Sequence, residues 1–165
     1  PSCALCRVQH STSAARPLPA VGEGLRIGRG AIQAALAALE DEQALGRLTR
    51  ATHAAAWADA GGRLHLVRED VGRHNALDKL VGAAARAGLD PADAFILVTS
   101  RCSYEMVEKA AMAGVSVLVA ISAPTALAIR KAEEAGLTLI ALARADGHMV
   151  FTRADRILDE VEIPA

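Results

Sequence analysis

The alternation of apolar runs with amphipathic segments in the second half of the chain most constrains its fold. Apolar runs of strand length are separated by segments whose apolar residues recur at helical spacing. The pattern predicts strands at residues 94–99, 115–121 and 137–143, and helices at residues 103–113 and 123–135. Gly114 and Gly136 follow the two helices directly, and glycine at that position commonly ends a helix. Alternating strands and helices favour a parallel sheet covered by helices.

Hairpin patterns on either side of this region predict antiparallel edges for the same sheet. Strands are predicted at residues 53–59, 63–68 and 148–152, with turns at residues 60–62 and 144–147. Helices are predicted at residues 30–45 and 73–87, and Gly88 ends the second one. The predicted fold class is therefore α/β, with a mixed β-sheet sandwiched by helices in three layers.

The first 29 residues differ in pattern from the rest of the chain. They hold Cys3 and Cys6, a Ser-Thr-Ser run and several prolines and glycines, without helix or strand periodicity. We therefore predict a flexible segment at residues 1–29 that carries the Cys-x-x-Cys pair. An α/β domain is predicted at residues 30–165.

Composition argues against two broad classes of function. The net charge is −1, and aromatic residues make up 2% of the chain. Binding to nucleic acid needs a basic surface and aromatic platforms for the bases, so it is not expected here. No apolar run approaches the roughly 20 residues that cross a bilayer, and no signal peptide opens the chain. The sequence therefore predicts a cytoplasmic protein without membrane association.

Three cysteines do not suit a secreted disulfide framework. Cys3 and Cys6 form a Cys-x-x-Cys pair, in which one sulfur can attack while the other resolves or holds the product. Two other interpretations stay open at this point. The pair could be half of a zinc site, with His10 as a third ligand, or it could have no role. For Cys102, a small buried residue is favoured over a catalytic one.

The segment from Arg68 to Lys79 is dense in charge and opens a predicted helix. Free backbone N–H groups near Gly72 could bind an anion, and Arg73 and His74 could add donors. The alternative is a capped helix start with ion pairs and no ligand. Other polar segments follow predicted parallel strands, where open α/β sheets bind ligands. They contain Arg101 and Ser103 in one loop, and Leu142, Ala143, Arg144, Ala145, Asp146 and Gly147 in another.

His53 stands at a predicted strand start, in the sequence His-Ala-Ala-Ala. Zinc deaminases carry a His-x-Glu motif whose glutamate moves protons, but Ala55 occupies the glutamate position here. No Pro-Cys-x-x-Cys motif follows at a helix start either. Deamination therefore lacks its catalytic parts, and no stoichiometric zinc is expected.

Taken together, these motifs resemble one known family. The motifs follow one another in the order Ser2–Cys6, His53–Ala56, Val67–Lys79, Ser100–Glu105, Lys109–Gly114, Ser122–Thr125 and Val150–Thr152. Over nearly its whole length the chain resembles the formate dehydrogenase accessory sulfurtransferase family (FdhD). The stretch Val67–Lys79 is the longest and most specific part of that resemblance.

The resemblance implies a fold similar to that of cytidine deaminases, without the deaminase zinc site. It implies a sulfurtransferase whose Cys-x-x-Cys pair receives persulfide sulfur from a cysteine desulfurase. The sulfur then passes to molybdenum bis(molybdopterin guanine dinucleotide), a bound substrate, before this cofactor enters formate dehydrogenase. The expected partners are cysteine desulfurase, formate dehydrogenase and a guanine nucleotide or molybdenum cofactor, and a homodimer is expected.

Carried over residue by residue, the resemblance makes Cys3 the persulfide carrier and Cys6 its partner. It places the molybdenum cofactor on the turn from Leu142 to Gly147. Weaker candidates for lining the same pocket are His53, Arg73, His74, Arg101 and Ser103.

The chain also departs from the family pattern. Arg50 occupies a glycine position of the family's Thr-Gly-Gly-x-His motif, so either the loop or the approach of the cofactor is altered. The turn begins Leu142-Ala143, where an aromatic residue is common. The family's N-terminal half precedes the Cys-x-x-Cys pair and is expected to be absent from this chain. The alternative function is a non-catalytic chaperone that binds the guanine nucleotide or the molybdenum cofactor.

Overall fold

The structure is a computed structural model that describes residues 17–158. Its helices are α1 (Arg29–Glu42), α2 (Ala44–Thr49), α3 (Arg73–Ala87), α4 (Tyr104–Met112) and α5 (Ala126–Ala135). Its strands are β1 (Ile27–Gly28), β2 (His53–Asp59), β3 (Leu64–Asp70), β4 (Ala94–Val98), β5 (Val117–Ala120), β6 (Thr138–Arg144), β7 (Gly147–Val150) and β8 (Ile157–Leu158). Cys3 and Cys6 lie outside the described residues.

Six strands form one sheet in the order β3-β2-β4-β5-β6-β7. The pairs β4–β5 and β5–β6 are parallel, whereas β2–β3, β2–β4 and β6–β7 are antiparallel. Every residue of β4 and β5 is buried, as expected of interior parallel strands that are covered on both faces. The predicted mixed sheet with antiparallel hairpins at its edges is confirmed.

Side chains alternate between two apolar cores along each strand, because successive residues of a strand point to opposite faces. In β4, Ile96 and Val98 enter one core, and Phe95 and Leu97 enter the other. The first core also contains the buried faces of α3, α4 and α5, and the second contains that of α1. The three-layer arrangement is thereby confirmed.

Two helix boundaries differ from the sequence prediction. The helix predicted at 30–45 breaks at Gln43, which has ψ 72°, and a separate helix α2 follows. Gly46, the residue directly after the predicted helix, therefore lies inside α2. Helix α5 begins at Ala126 because Thr125 is its N-cap and accepts a hydrogen bond from the N–H of Ala128 at 3.2 Å.

A short parallel pairing between β1 and β8 joins the two ends of the described segment. Directly before β8 stands the buried Arg156, whose guanidinium donates to the carbonyl oxygens of Gly22, Glu23 and Gly136 at 2.6–2.7 Å. Val21 adds a backbone hydrogen bond to Ala135 at 2.9 Å. Residues 21–24 thus pack against the end of α5 and the start of β6.

Candidate functional site

The loops that follow the parallel strands are tied together by backbone hydrogen bonds. After β4, the N–H of Cys102 donates to Ala123 at 3.2 Å, and the N–H of Thr125 donates back to Cys102 at 2.9 Å. The N–H of Leu142, in β6, lies 3.4 Å from the carbonyl oxygen of Ser122. The three loops with the predicted polar residues therefore meet at the carboxyl edge of the sheet, where ligands bind in open α/β folds.

The amino end of β2 reaches this edge too, because β2 is antiparallel to β4. The N–H of Ala54 donates to Thr99 Oγ1 at 2.9 Å, and the N–H of Thr99 donates to the carbonyl oxygen of Ala54 at 3.0 Å. His53, the half-buried residue before Ala54, pairs in register with Asp70 at the end of β3. His53 is thus placed beside the turn that opens α3.

Asp70 shapes that turn. Its Oδ1 accepts hydrogen bonds from the N–H of Gly72 at 2.9 Å and from Asn75 Nδ2 at 3.2 Å, and its Oδ2 pairs with Lys79. The ion pair with Lys79, helped by the other two donors, lowers the pKa of Asp70 from 3.8 to about 2. Gly72 is the N-cap of α3 and supplies no side-chain acceptor, so the first-turn N–H groups are not capped by a side chain.

Arg73 and His74 open α3 and lie near enough to Glu105, in the first turn of α4, to shift its pKa, and Ser103 is the N-cap of α4. We call these four residues the helix-start cluster. Burial, followed by the charge of Arg73, lowers the pKa of His74. Burial works against ionisation of Glu105, but the Ser103 hydroxyl and the charges of His74 and Arg73 lower its pKa overall. The cluster therefore combines an imidazole whose lowered pKa favours the neutral form, a guanidinium and a carboxylate at two helix starts.

Two donors in the helix-start cluster are buried without a protein partner. Within residues 17–158, neither Arg73 Nε nor Ser103 Oγ makes a hydrogen bond of normal geometry. The Ser103 hydroxyl lies near enough to Glu105 to influence its pKa, but not at hydrogen-bond geometry. A guanidinium N–H and a hydroxyl at helix starts are suited to binding an anionic oxygen.

Cys102 takes part in the architecture of the edge, not in its chemistry. Its side chain is fully buried, and burial raises the pKa of the thiol to about 12. A thiol with so high a pKa is a poor nucleophile at neutral pH, because the thiolate is the reactive form. The interpretation of Cys102 as a small buried residue is confirmed.

The turn from Leu142 to Gly147 follows an irregular end of β6. Leu142 has φ 52°, and the register with β7 shifts between Ala141 and Arg144. Ala143 is buried, whereas Arg144, Ala145 and Asp146 are exposed. The turn therefore offers one guanidinium and one carboxylate to solvent beside the loop after β5.

His148, just after the turn, was not singled out by the sequence. Its Nδ1 lies 3.4 Å from Gln33 Nε2 of α1, while Gln33 Oε1 and His148 Nε2 are buried without partners within residues 17–158. Burial and the charge of Arg29 lower the pKa of His148. Glu105 was likewise not predicted as a site residue, although it stands in the Ser100–Glu105 motif. Arg101 is exposed and lies on the same loop as Ser103.

Within the described part of the chain, no three His, Cys, Asp or Glu side chains are placed to hold a metal ion together. Among the helices of residues 17–158, none has the length and apolar character that a membrane span requires.

Comparison with known proteins gives these features a family context. Sulfur carrier protein FdhD from Bordetella petrii is 48% identical over 155 residues, which cover 94% of this chain and 56% of that protein. Sulfur carrier protein FdhD from Xanthomonas euvesicatoria pv. vesicatoria is 52% identical over 155 residues, which cover 94% of this chain and 55% of that protein. The chain thus spans about half the length of the curated relatives it matches.

A solved structure is similar as well. It is the crystal structure of a protein from Desulfotalea psychrophila assigned as a formate dehydrogenase accessory protein, with a TM-score of 0.77 and 27% sequence identity. The similarity covers 93% of this chain and 64% of that one. The model of the FdhD/NarQ family matches residues 1–158. The family resemblance read from the motifs is confirmed: the chain belongs to the FdhD/NarQ family.

Proposed function

We propose that this chain acts as the sulfur-carrying, cofactor-binding part of a formate dehydrogenase accessory protein. The observation that carries the proposal is the helix-start cluster, with its buried Arg73 Nε, at the carboxyl edge of the sheet in an FdhD/NarQ chain. Two similar proteins bear the name sulfur carrier protein FdhD, which supports the proposed role.

Cys3 is the proposed sulfur carrier. Its thiolate attacks the outer sulfur of a persulfide on a cysteine desulfurase, so that a persulfide forms on Cys3 and the desulfurase leaves as a thiolate. Cys6 then attacks the inner sulfur of the Cys3 persulfide. A Cys3–Cys6 disulfide forms and hydrosulfide is released, and a cellular dithiol restores both thiols.

The hydrosulfide is delivered to molybdenum bis(molybdopterin guanine dinucleotide), which is bound as a substrate, and its sulfur would replace an oxygen ligand of that substrate, which leaves as hydroxide. Arg73 and Ser103 are the proposed donors to its anionic oxygens, because both side chains hold a buried donor beside a helix start that has no partner within residues 17–158. The turn from Leu142 to Gly147 and His53 line the other parts of the edge. Arg101, which is exposed on the same loop as Ser103, adds charge at the rim.

The remaining parts of the proposal concern partners and surroundings. The donor is a cysteine desulfurase and the client is formate dehydrogenase, with two copies of the chain acting as a homodimer in the cytoplasm. The name of the similar Desulfotalea protein supports the client, since it refers to formate dehydrogenase.

The decisive experiment is intact-protein mass spectrometry after incubation with a cysteine desulfurase and cysteine. The proposal expects a gain of one sulfur atom that a thiol reductant reverses and that is lost in Cys3→Ser. A Cys102→Ser variant is the matched control, because the buried thiol has no part in the proposed transfer. No gain on Cys3 in a folded sample contradicts the carrier role for this chain.

Binding of GDP tests the cofactor site separately. Arg73→Gln should weaken GDP binding about tenfold, which corresponds to the loss of one charge-assisted hydrogen bond. Arg130→Gln, on the exposed face of α5, should bind like the unaltered protein. GDP binding without sulfur loading would favour the non-catalytic chaperone, and normal binding by Arg73→Gln would remove this residue from the site.

A further inference from the structure

A cleft of about 500 Å³ opens where the end of α1, helix α2 and the start of β2 meet. It is lined by Glu40, Gln43, Gly46, Arg47, Arg50 and Thr52, and we call it the arginine cleft. None of these residues belongs to the helix-start cluster or to the Leu142–Gly147 turn. A cleft of this volume is large enough for a nucleotide-sized molecule.

Glu69 of β3 fixes one wall of the arginine cleft. Its carboxylate accepts hydrogen bonds from the N–H groups of Leu45 at 2.8 Å and Gly46 at 2.7 Å, and from Thr52 Oγ1 at 3.0 Å. Three neutral donors from α2 and the following loop thus occupy this carboxylate. Glu69 holds the segment in place, and within residues 17–158 it makes no ion pair with Arg47 or Arg50.

Within residues 17–158, the two guanidinium groups of the arginine cleft make few hydrogen bonds and no ion pair with other side chains. Arg47 donates to the carbonyl oxygen of Asp41, a neutral acceptor. Arg50 makes no side-chain hydrogen bond or ion pair within residues 17–158. The cleft lining therefore holds two guanidinium groups and the carboxylate of Glu40, and the carboxylate of Glu69 lies directly behind its wall.

Arg50 is kept in this place at a conformational cost. It ends α2 with φ 51° and ψ 25°, in the left-handed region that disfavours every residue with a Cβ. The backbone conformation at this position suits glycine better. The backbone preference of arginine therefore does not explain its presence here, and its side chain is what it adds to the site.

We propose that the arginine cleft binds a phosphorylated small molecule, with the phosphate held between Arg47 and Arg50. Guanidinium groups match phosphate in charge and in the geometry of their N–H donors. Glu40 accepts a hydrogen bond from an N–H or O–H group on the non-phosphate part of the ligand. This inference does not rest on the sulfur-carrier role, because it concerns a different set of residues.

Isothermal titration calorimetry tests the proposal with pyrophosphate and with AMP, CMP, GMP and UMP as probes. Arg47→Gln and Arg50→Gln should each weaken binding of every phosphorylated probe about tenfold. Glu40→Gln should weaken binding of the nucleotide whose base or sugar it contacts, while pyrophosphate binding is unchanged or tighter. Arg130→Gln is the matched control, because this arginine is exposed on α5 and does not line the arginine cleft.

The outcomes separate this proposal from the sulfur-carrier function. Unaltered binding in both arginine variants overturns the arginine cleft as a ligand site, and so does an equal loss in Arg130→Gln. Binding that is lost in Arg73→Gln but kept in Arg47→Gln and Arg50→Gln places the probe at the helix-start cluster, which also overturns it. Arg50→Gly, whose backbone suits the loop, provides a second variant if Arg50→Gln does not fold.

Discussion

The guanidinium of Arg156 donates through Nη1 to the carbonyl oxygen of Gly136 at 2.7 Å, with only 2% of Arg156 exposed. The same nitrogen reaches Thr138 Oγ1 at 3.1 Å, and the other guanidinium nitrogens reach Gly22 and Glu23. One buried side chain therefore satisfies carbonyl oxygens from two parts of the chain that are more than 100 residues apart in sequence. A buried cation with this many acceptors is costly to remove.

Replacing Arg156 by methionine should destabilise the protein by about 2 kcal/mol or more, because it leaves three partly buried carbonyl oxygens without their donors. Urea unfolding followed by circular dichroism measures the change. Arg130→Met, on an exposed face of α5, is the control and should change stability by less than about 0.5 kcal/mol. A loss below about 1 kcal/mol in Arg156→Met would show that water replaces these hydrogen bonds.

Acid should weaken the protein through Asp70. Its pKa is about 2 in the folded protein, below the ordinary value of 3.8, chiefly because of the ion pair with Lys79. A lowered folded-state pKa stabilises the protein above the unfolded-state value, and this contribution is lost as the pH falls through the folded-state pKa. The advantage of the unaltered protein over Asp70→Asn should therefore be full above about pH 5 and should shrink between about pH 4 and pH 2.

Thermal unfolding of both proteins across this pH range tests the prediction for Asp70. A carbon-detected NMR titration of the Asp70 carboxyl provides a direct midpoint, expected at about 2. A constant difference in melting temperature down to pH 2 would contradict the assigned ion pair.

Cys102 should resist alkylation in the folded protein. Full burial and a thiol pKa of about 12 keep both access and thiolate fraction low at pH 8. Peptide mapping after a short treatment with iodoacetamide should find Cys102 unmodified in buffer. It should find Cys102 modified in about 8 M urea, which unfolds most domains. Cys102 and Pro124 pair through their backbones in an isolated β-bridge, and rapid modification in buffer would mean that this pairing opens readily.

The conformation of Arg50 predicts a difference between two variants. Arg50→Ala removes the side chain and keeps the left-handed strain, whereas Arg50→Gly removes both. Arg50→Gly should therefore be more stable than Arg50→Ala by about 1 kcal/mol. Urea unfolding of the two variants side by side measures it, and equal stability would contradict a left-handed residue at the end of α2.

Gly62 should tolerate no side chain. It lies in the β2–β3 turn with φ 85°, and a Cβ there would overlap the carbonyl oxygen of Ala31 in α1. Gly62→Ala should cost about 2 kcal/mol or more, because strain and overlap act together. Its neighbour supplies the control: a Cβ at Gly61 would make an ordinary contact of 3.4 Å with Asp59 Oδ1, so Gly61→Ala should cost much less.

Local signals predicted the elements that tertiary contacts leave unaltered. Helix α3 and strand β2 have the predicted bounds, because each combines an uninterrupted period with a turn or a terminal glycine. Helix α5 begins three residues later than predicted, since Pro124 pairs with Cys102 in an isolated β-bridge and the residue after it, Thr125, is the N-cap of the helix. No local pattern marks such a contact between distant loops.

Part of the candidate site could also be predicted from local sequence signals. Arg73, His74 and Ser103 stand at helix starts. They were predicted from sequence alone, because the start of a helix favours anion binding. Glu105 was missed because an acidic residue in the first turn of a helix usually serves only that helix. His148 gave no signal, since its contact with Gln33 joins residues far apart in the chain. The roles of Cys3 and Cys6 stay predictions.

The pairing of β1 with β8 also sets an order of events during synthesis. A ribosome releases the chain from its N-terminal side first, so Ile27 leaves the ribosome well before its partner Ile157 exists. Until then this isoleucine, which ends fully buried, stays open to water and to other apolar surfaces. Nascent chains stalled short of residue 156 should consequently be the ones that chaperones hold, because neither the Arg156 donors nor the β8 strand has been made.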